Sequence, residues 1–345
     1  MSKAFDTINR KTLITELQKV LNKDEIHLFT KLLHVKLAIK CGNQIGEFFD
    51  TDTGGPQGDC SSAKNFTFYL SKTLEKEVEE EEEERNVIQH PLEDEIELEQ
   101  LYADDISELA TDENYVERKL IELPQLLEKN GLLINADKTE KYTISRTSDN
   151  EWKKCKLLGT LLDTTEDIKR RKVLAIDAAK TLKHIFKNKK VWTSTKARAF
   201  DAYITSVFLY NSSTWTLTKT EEASIDSFQR KMIRINVLNI AWPKKISNER
   251  VYQISKLQPW SEKIQKQKLT WFGHVMRMDE NIPARKALKY AMQPFKRAQG
   301  RPKETWIKST EKLIKEKLNM TWQQAEQAAQ DRKAWRIFVY ESLKK

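Results

Sequence analysis

"LEQLYADDISEL", residues 98–109, sets Asp104 and Asp105 side by side between two apolar, strand-like runs. Short acidic side chains tolerate turn geometry and bond to nearby backbone, so an Asp-Asp pair alone is an ordinary turn signal. The alternation on either side predicts a hairpin of two short strands around a two-residue turn. Such a turn either closes the chain or presents two carboxylates to a metal, and the surrounding sequence decides between these.

Working upstream, "TDTGGPQGDCSS" (residues 51–62) is dense in backbone breakers and must be a loop. Ser61 or Ser62 can cap the helix after it, on which Phe66, Tyr69, Leu70 and Leu74 share one face. That helix runs into the acidic, low-complexity stretch Glu79 to Glu84, read as a solvated helix end or frayed linker. "KAFDTINRKTLITELQKVL" at the N-terminal end reads as a strand end, a turn at Asp6 and a helix bearing Leu13, Leu17 and Val20. "KDEIHLFTKLLHVKLAI" predicts a second helix, passing into an extended segment near Cys41 to Phe49. Downstream of the Asp pair, "ENYVERKLIELPQLLEKN" predicts a helix that ends at Gly131 and is kinked or divided at Pro124. "LLINADKTEKYTI" reads as a second hairpin-like pair, and "KKCKLLGTLLD" as a third turning at Gly159.

From Thr164 the pattern turns helical and stays so. Leu174, Ala178, Leu182 and Ile185 form one apolar stripe, Phe200, Tyr203, Ile204, Val207 and Phe208 a second, and Ile225, Phe228, Met232 and Ile235 a third. Stripes at this spacing are core. The fold class is therefore α+β in the first half and all-α in the second.

Charge divides the same way. Residues 1–150 hold 18 Lys and Arg against 32 Asp and Glu, while residues 151–345 hold 42 against 19. A strongly basic half suits a polyanionic partner, although two oppositely charged surfaces attracting each other would give the same tally. Within the basic half, Lys169 to Lys172 form one cluster, and Lys263, Lys266, Lys268 and Arg277 interleave with Trp271 and Phe272. Phosphates want the cations and unpaired bases can stack on aromatics. The two aromatics read more simply as core, and His274, with no ligand partner in view, as structural. The three cysteines are far apart and form no C-x-x-C pair, which argues against a disulfide framework and against zinc. No apolar run approaches the roughly 18 residues of a membrane span, and MSKAFDTINR is no leader, so the expectation is an intracellular chain without membrane contact.

Asp6, the Gly54–Gly58 loop and Asp104-Asp105 together make a stronger signal than any one of them. Two magnesium ions need oxygen ligands, and they clamp the attacking and leaving oxygens in phosphoryl transfer. Here the chain resembles the reverse transcriptase of non-LTR (long-interspersed-element type) retrotransposons. "AFDTINRKTL", "GGPQGDCSSAKNFTFYL" and "LYADDI" are similar to the first three palm motifs of that family. "GLLINADKTEKYTI" is similar to the fourth, "KLLGTLLD" to the primer-gripping hairpin, and "LTWFGHVMRMDENIPARKAL" with "GRPKETW" to the C-terminal region of such elements.

The resemblance implies an RNA-directed DNA polymerase: a right-hand palm of antiparallel strands and helices over 1–163, a helical thumb over 164–258 and a basic helical region over 259–345. It implies that Asp6 and Asp104, supported by Asp105, bind magnesium or manganese, and that Tyr102 packs near the primer end. Gly55, Pro56, Gln57 and Gly58 would lie under the nascent base pair, where glycine allows close backbone approach. Lys138 would reach the pyrophosphate as a general acid or counter-charge, with Asn135 beside it; an exposed turn lysine is an equal reading. The implied partners are an RNA template, a DNA primer and deoxynucleoside triphosphates, and the implied compartment is the nucleus. Three departures stand out. Glu108 occupies a strand position that is usually apolar in the family, "DCSSAKN" replaces the common Ser-Pro after "PQG", and the chain starts four residues before "FD", so that the fingers are expected to be missing and the chain alone weak or inactive. A decayed retroelement protein that binds nucleic acid without polymerising is the alternative.

Overall fold

The computed structural model describes residues 6–34, 36–55, 59, 61–82, 99–110, 112–144, 150–240, 243–293 and 304–342. They form two compact units, residues 1–141 and 142–345.

In the first unit, α1 (Arg10–Leu17) and α2 (Lys23–Leu33) precede a hairpin of β1 (Leu37–Cys41) and β2 (Gln44–Phe49). The predicted second helix thus stops earlier, at His34, whose Nδ1 lies 2.8 Å from the Thr30 carbonyl and closes the last turn. Beyond it β-branched and apolar residues alternate with lysines, which suits a strand. Then come α3 (Ser62–Glu82), the hairpin β3 (Glu99–Tyr102) and β4 (Asp105–Glu108), and α4 (Glu113–Lys129). The core is built from α1, α3 and α4: Leu13, Leu17, Phe66, Tyr69, Leu70, Leu74, Leu123 and Leu127 are all buried.

α4 carries Pro124 inside it and ends as the sequence predicts. The Gly131 N–H bonds to the Glu128 carbonyl and the Leu132 N–H to the Leu127 carbonyl, with Gly131 at φ +76°. Leu127 and Leu132 are both fully buried, so the hydrophobic contact that accompanies this type of helix end is also present. The expected hairpin over residues 132–144 does not form. Its place is taken by a single tight turn, Ala136–Lys138, because the Asn135 carbonyl accepts both the Lys138 N–H and the Thr139 hydroxyl. Among the described residues the strands make three separate two-stranded antiparallel sheets.

The second unit opens with the hairpin β5 (Lys156–Leu157) and β6 (Thr160–Leu161), turning at Leu158 and Gly159. Both turn residues have positive φ, the geometry that two-residue hairpins prefer. Among the described residues every later element is helical: α5 (Thr164–Thr181), α6 (Lys183–Lys187), α7 (Thr193–Ala199), α8 (Ser206–Phe208), α9 (Lys219–Met232), α10 (Asn248–Ser255), α11 (Trp260–Met276), α12 (Pro283–Ala291), α13 (Trp306–Leu318), α14 (Trp322–Gln330) and α15 (Arg332–Ser342). Two cores serve it. One holds Phe200, Phe208, Trp215, Ile225, Val251 and Trp260, with Phe208 stacked on Trp260 at 4.1 Å between ring centres. The other holds Leu269, Phe272, Ile314, Ala325 and Trp335.

Of the predicted stripes, Phe200, Ile204, Phe208, Ile225 and Met232 are buried and Ala178, Leu182 and Phe228 pack against the same core; Leu174, Ile185 and Val207 are half-buried, and the last two, Tyr203 and Ile235, are exposed. Each lies in a wide-turn (π-helical) stretch, Phe200–Thr205 or Ile233–Val237. The extra residue per turn rotates the face, so a 3.6-residue period misplaces these two. Gly273 shows why "WFGH" needs its glycine: a Cβ there would sit 2.2 Å from the buried Trp335 ring. Phe272 is core as expected, and His274 is an exposed residue edge-on to Trp271.

Each of the four cations interleaved along α11 has a partner within the fold. Lys263 pairs with Asp201, Lys266 lies over the Tyr340 ring, Arg277 donates to the Ala329 carbonyl at 2.7 Å, and Lys268 donates to Ser309 Oγ at 2.7 Å. Lys268 is only 5% exposed. Burial pushes its ammonium down to about 8, with the Glu222 and Glu304 carboxylates offsetting part of the cost. An unfolded lysine titrates near 10.4, so between these values the unfolded chain holds the extra proton and stability rises with pH. Lys268→Met is therefore expected to stabilise the fold at pH 7 by up to about 3 kcal/mol, with the advantage fading as pH rises from 8 to 10. Urea unfolding of both proteins across that range checks it; an advantage that does not change with pH would contradict the buried charge.

Candidate active site

The segment Asp6–Arg10 and the glycine loop are built as one piece. Gly54 donates its N–H to the Ile8 carbonyl at 2.8 Å, and Asn9 bridges Thr53 as an isolated strand pair. Arg10, buried, reaches across the loop, donating from Nε to the Gly54 carbonyl at 2.7 Å and from a terminal nitrogen to the Thr51 carbonyl. Burial lowers the Arg10 pKa while Asp52 raises it. The sequence gives no hint of this bolt, because Arg10 sits in an amphipathic helix start where a solvated arginine is the ordinary expectation.

Glycine is required at position 54. Its φ is +81°, and a Cβ would fall 3.1 Å from the Asp6 carbonyl oxygen. The third segment meets the same place from the other side, since a Cβ on Gly131 would lie 3.3 Å from the Thr7 carbonyl oxygen. Tyr69, on α3, donates to the Asn130 carbonyl at 2.6 Å and ties that approach to the core. The Asp6 segment, the glycine loop and the end of α4 therefore converge around Thr7 and Ile8.

The β3–β4 hairpin pairs Tyr102 with Asp105, so its turn residues are Ala103 and Asp104, one position earlier than an Asp-Asp turn. Ile106 anchors it by packing against the first-unit core. Asp104 is half-buried, Asp105 exposed, and Tyr102 66% exposed. Ala103 adopts φ +53°, a left-handed conformation that costs an alanine about 1 kcal/mol. Strain of this kind collects at functional turns. Ala103→Gly is expected to relieve it and slow hydrogen exchange of the hairpin amides up to about fivefold, whereas Ala103→Val should speed exchange. No change in either variant would mean that the turn is unstrained. Glu99 stands directly opposite Glu108, a like-charge pairing that weakens a hairpin.

The remaining sequence-derived residues are placed as follows. Gly55 lies against Ser62, a Cβ there falling 3.4 Å from the Ser62 hydroxyl. Pro56, Gln57 and Gly58 lie outside the described residues. Lys138 is exposed on the Ala136–Lys138 turn and Asn135 precedes it, so Lys138 is placed as a surface turn lysine. Carboxylate oxygens are the donor type that magnesium prefers. Among the described residues, however, no group of three or more His, Cys, Asp or Glu side chains is gathered to hold a metal, so Asp6, Asp104 and Asp105 do not form one ligand set here.

The order of these parts in the chain, from Asp6 through the glycine loop and the Asp104 hairpin to the Gly159 hairpin, is that of one known domain. Residues 1–162 match the reverse transcriptase (RNA-dependent DNA polymerase) family. No curated protein matches the chain. The reverse transcriptase match ends at the β5–β6 hairpin, so Asp6, Arg10, Gly54, Asp104 and Lys138 all fall inside it, while α5 and every later helix fall outside.

That hairpin is held by groups beyond the matched region. Arg170 donates to the Gly159 carbonyl at 3.0 Å, Arg171 donates to the same carbonyl and to Thr160 Oγ1, and Tyr210 donates to the Leu158 carbonyl at 3.0 Å. Asp167, fully buried, accepts from the Leu161 N–H at 3.2 Å and from Trp215 Nε1 at 3.0 Å, and lies 3.6 Å from Arg171. Arg170 and Arg171, two of the four cations at Lys169 to Lys172, thus bind the hairpin.

Proposed function

We propose that this chain is an RNA-directed DNA polymerase of the non-LTR retrotransposon type, extending a DNA primer on an RNA template from deoxynucleoside triphosphates. The observation that carries the reading is the interlock of the Asp6 segment with Gly54 inside a region matching reverse transcriptases. Residues 1–163 would serve as palm, 164–258 as thumb and 259–345 as a basic C-terminal region, acting in the nucleus.

In this reading Asp6 and Asp104 hold magnesium or manganese with support from Asp105. When bound, the ions supply charge neutralisation at the phosphate and activation of the primer hydroxyl. The work of the chain is positional. Arg10 fixes the glycine loop against the Asp6 backbone, Gly54 lets that backbone approach, the loop from Gly55 to Gly58 would lie under the nascent base pair, and Tyr102 lies exposed where a primer sugar can meet it. Lys138 and Asn135 lie outside that interlock and would act on the pyrophosphate side.

Primer extension on an RNA template with magnesium or manganese tests the proposal. Template-directed incorporation supports it, and none with either metal overturns it. The alternative, a nucleic-acid binder that does not polymerise, draws support from the ungathered aspartates and the Glu99–Glu108 pairing. It predicts tight primer–template binding with no incorporation.

A further inference from the structure

With Arg170, Arg171, Lys263, Lys266, Lys268 and Arg277 each holding a partner within the chain, positive charge without one lies elsewhere in the second unit. Residues 178–200 contain seven Lys and Arg and no carboxylate. They cover the end of α5, α6, the connecting turn and α7. Lys180 is paired with Asp177 at 2.9 Å, and Lys196 is buried. Lys183, Lys187, Lys189, Lys190 and Arg198 are exposed, and among the described residues none has a carboxylate within ion-pair distance.

The turn between α6 and α7 is fixed. Asn188 Oδ1 accepts the Lys190 N–H at 2.8 Å, and the Asn188 carbonyl accepts the Val191 N–H at 3.4 Å. Phe186 and Phe200 anchor the two flanks at zero exposure, and Asn239 donates to the Phe186 carbonyl at 3.0 Å. On this rigid base stands Trp192, 80% exposed, the most exposed of the large hydrophobic side chains described. It occupies the residue before α7, where Ser, Thr or Asp would cap the helix, and it makes no capping bond. An indole held in water with no capping bond, flanked in sequence by five cations that have no ion-pair partner among the described residues, has the composition of a stacking platform.

We propose that Trp192 and the cations Lys183, Lys187, Lys189, Lys190 and Arg198 form a docking surface for single-stranded nucleic acid. An unpaired base stacks on the indole and the flanking phosphates meet the cations. Stacking needs one exposed ring face and tolerates any base, and the charges supply an attraction independent of sequence. An anionic membrane is the weaker fit, since Trp192 stands alone on a polar turn without the apolar face that interfacial helices bury. The surface lies outside residues 1–162, and the proposal rests on the polymerase reading only in its choice of nucleic acid as partner.

The test is equilibrium binding of the full chain to a fluorescein-labelled single-stranded oligouridylate about 20 nucleotides long, beside a duplex of equal length. Trp192→Ala is expected to weaken single-strand binding about 5- to 100-fold while Trp192→Phe retains most of it. Joint replacement of Lys189 and Lys190 by alanine should reduce the salt slope by about 1.4. Circular-dichroism melts of all variants should match the parent, because the side chains replaced are exposed. Single-strand affinity unchanged by Trp192→Ala, or no single-strand binding by the parent at low salt, overturns the proposal. So does a loss confined to phosphatidylserine vesicles with oligonucleotide binding intact. Binding is read without catalysis, so a chain that fails to extend a primer can still pass this test.

Discussion

Asp104→Asn is expected to reduce primer extension by at least about a thousandfold while leaving the fold intact, the removal of a metal-ligand charge being worth several kcal/mol in the transition state. The substitution keeps size and shape and removes one negative charge. Asparagine is itself a favoured turn residue, so the hairpin between Tyr102 and Asp105 should keep its register. Asp104 is only half-buried, which limits the effect on stability to about 0.5 kcal/mol. Steady-state extension with magnesium and with manganese, together with a thermal melt, separates the two effects. A variant that extends at the parental rate would remove Asp104 from the metal assignment. A variant that fails only because it unfolds would show that the turn, and not the charge, is what Asp104 supplies.

Asp167→Ala is expected to destabilise the second unit by about 3–5 kcal/mol, the usual consequence of removing one partner from a buried ion pair. Two donors would lose their acceptor at once, the Leu161 N–H and the Trp215 indole, and the Arg171 guanidinium would lose its paired charge. Arg171 is itself buried, and burial already lowers its pKa against the attraction of Asp167. Asp167→Asn should cost less, since its amide oxygen can still accept one of the two bonds. Urea unfolding of both variants measures the difference. Equal, small losses would mean that the network is dispensable. Because these bonds seat the β5–β6 hairpin, the alanine variant should also speed proteolysis near Gly159.

Where local chemistry decides the backbone, the sequence reads through to the structure. The helix end at Gly131, the turn at Gly159 and the buried face of α3 need only nearby residues, and all three appear as expected. Where a backbone carbonyl competes locally the reading fails, as at residues 132–144, where Asn135 draws Lys138 and Thr139 into a turn. Period arguments fail for a different reason at Tyr203 and Ile235, since wide helical turns leave no composition signal. The site shows the same division. The glycines and aspartates are visible because each is unusual where it stands. Arg10, Asp167 and Arg171 are invisible because their partners are carbonyls and side chains far along the chain, and charge counting assigns such residues to solvent or to a ligand.

The helix α11 belongs to two cores at once. Trp260 and Ile264 near its start lie in the core shared with Phe208 and Ile225, while Leu269, Phe272, Val275 and Met276 lie in the core shared with Trp335. One rigid rod therefore acts as an axle through both bodies of the second unit. Neither can melt alone without exposing apolar surface on that rod, so heat should dissolve residues 164–342 in one cooperative transition. Cutting the chain at residue 258 would free a fragment whose leading tryptophan has lost its pocket, and such a piece would clump before it could be studied.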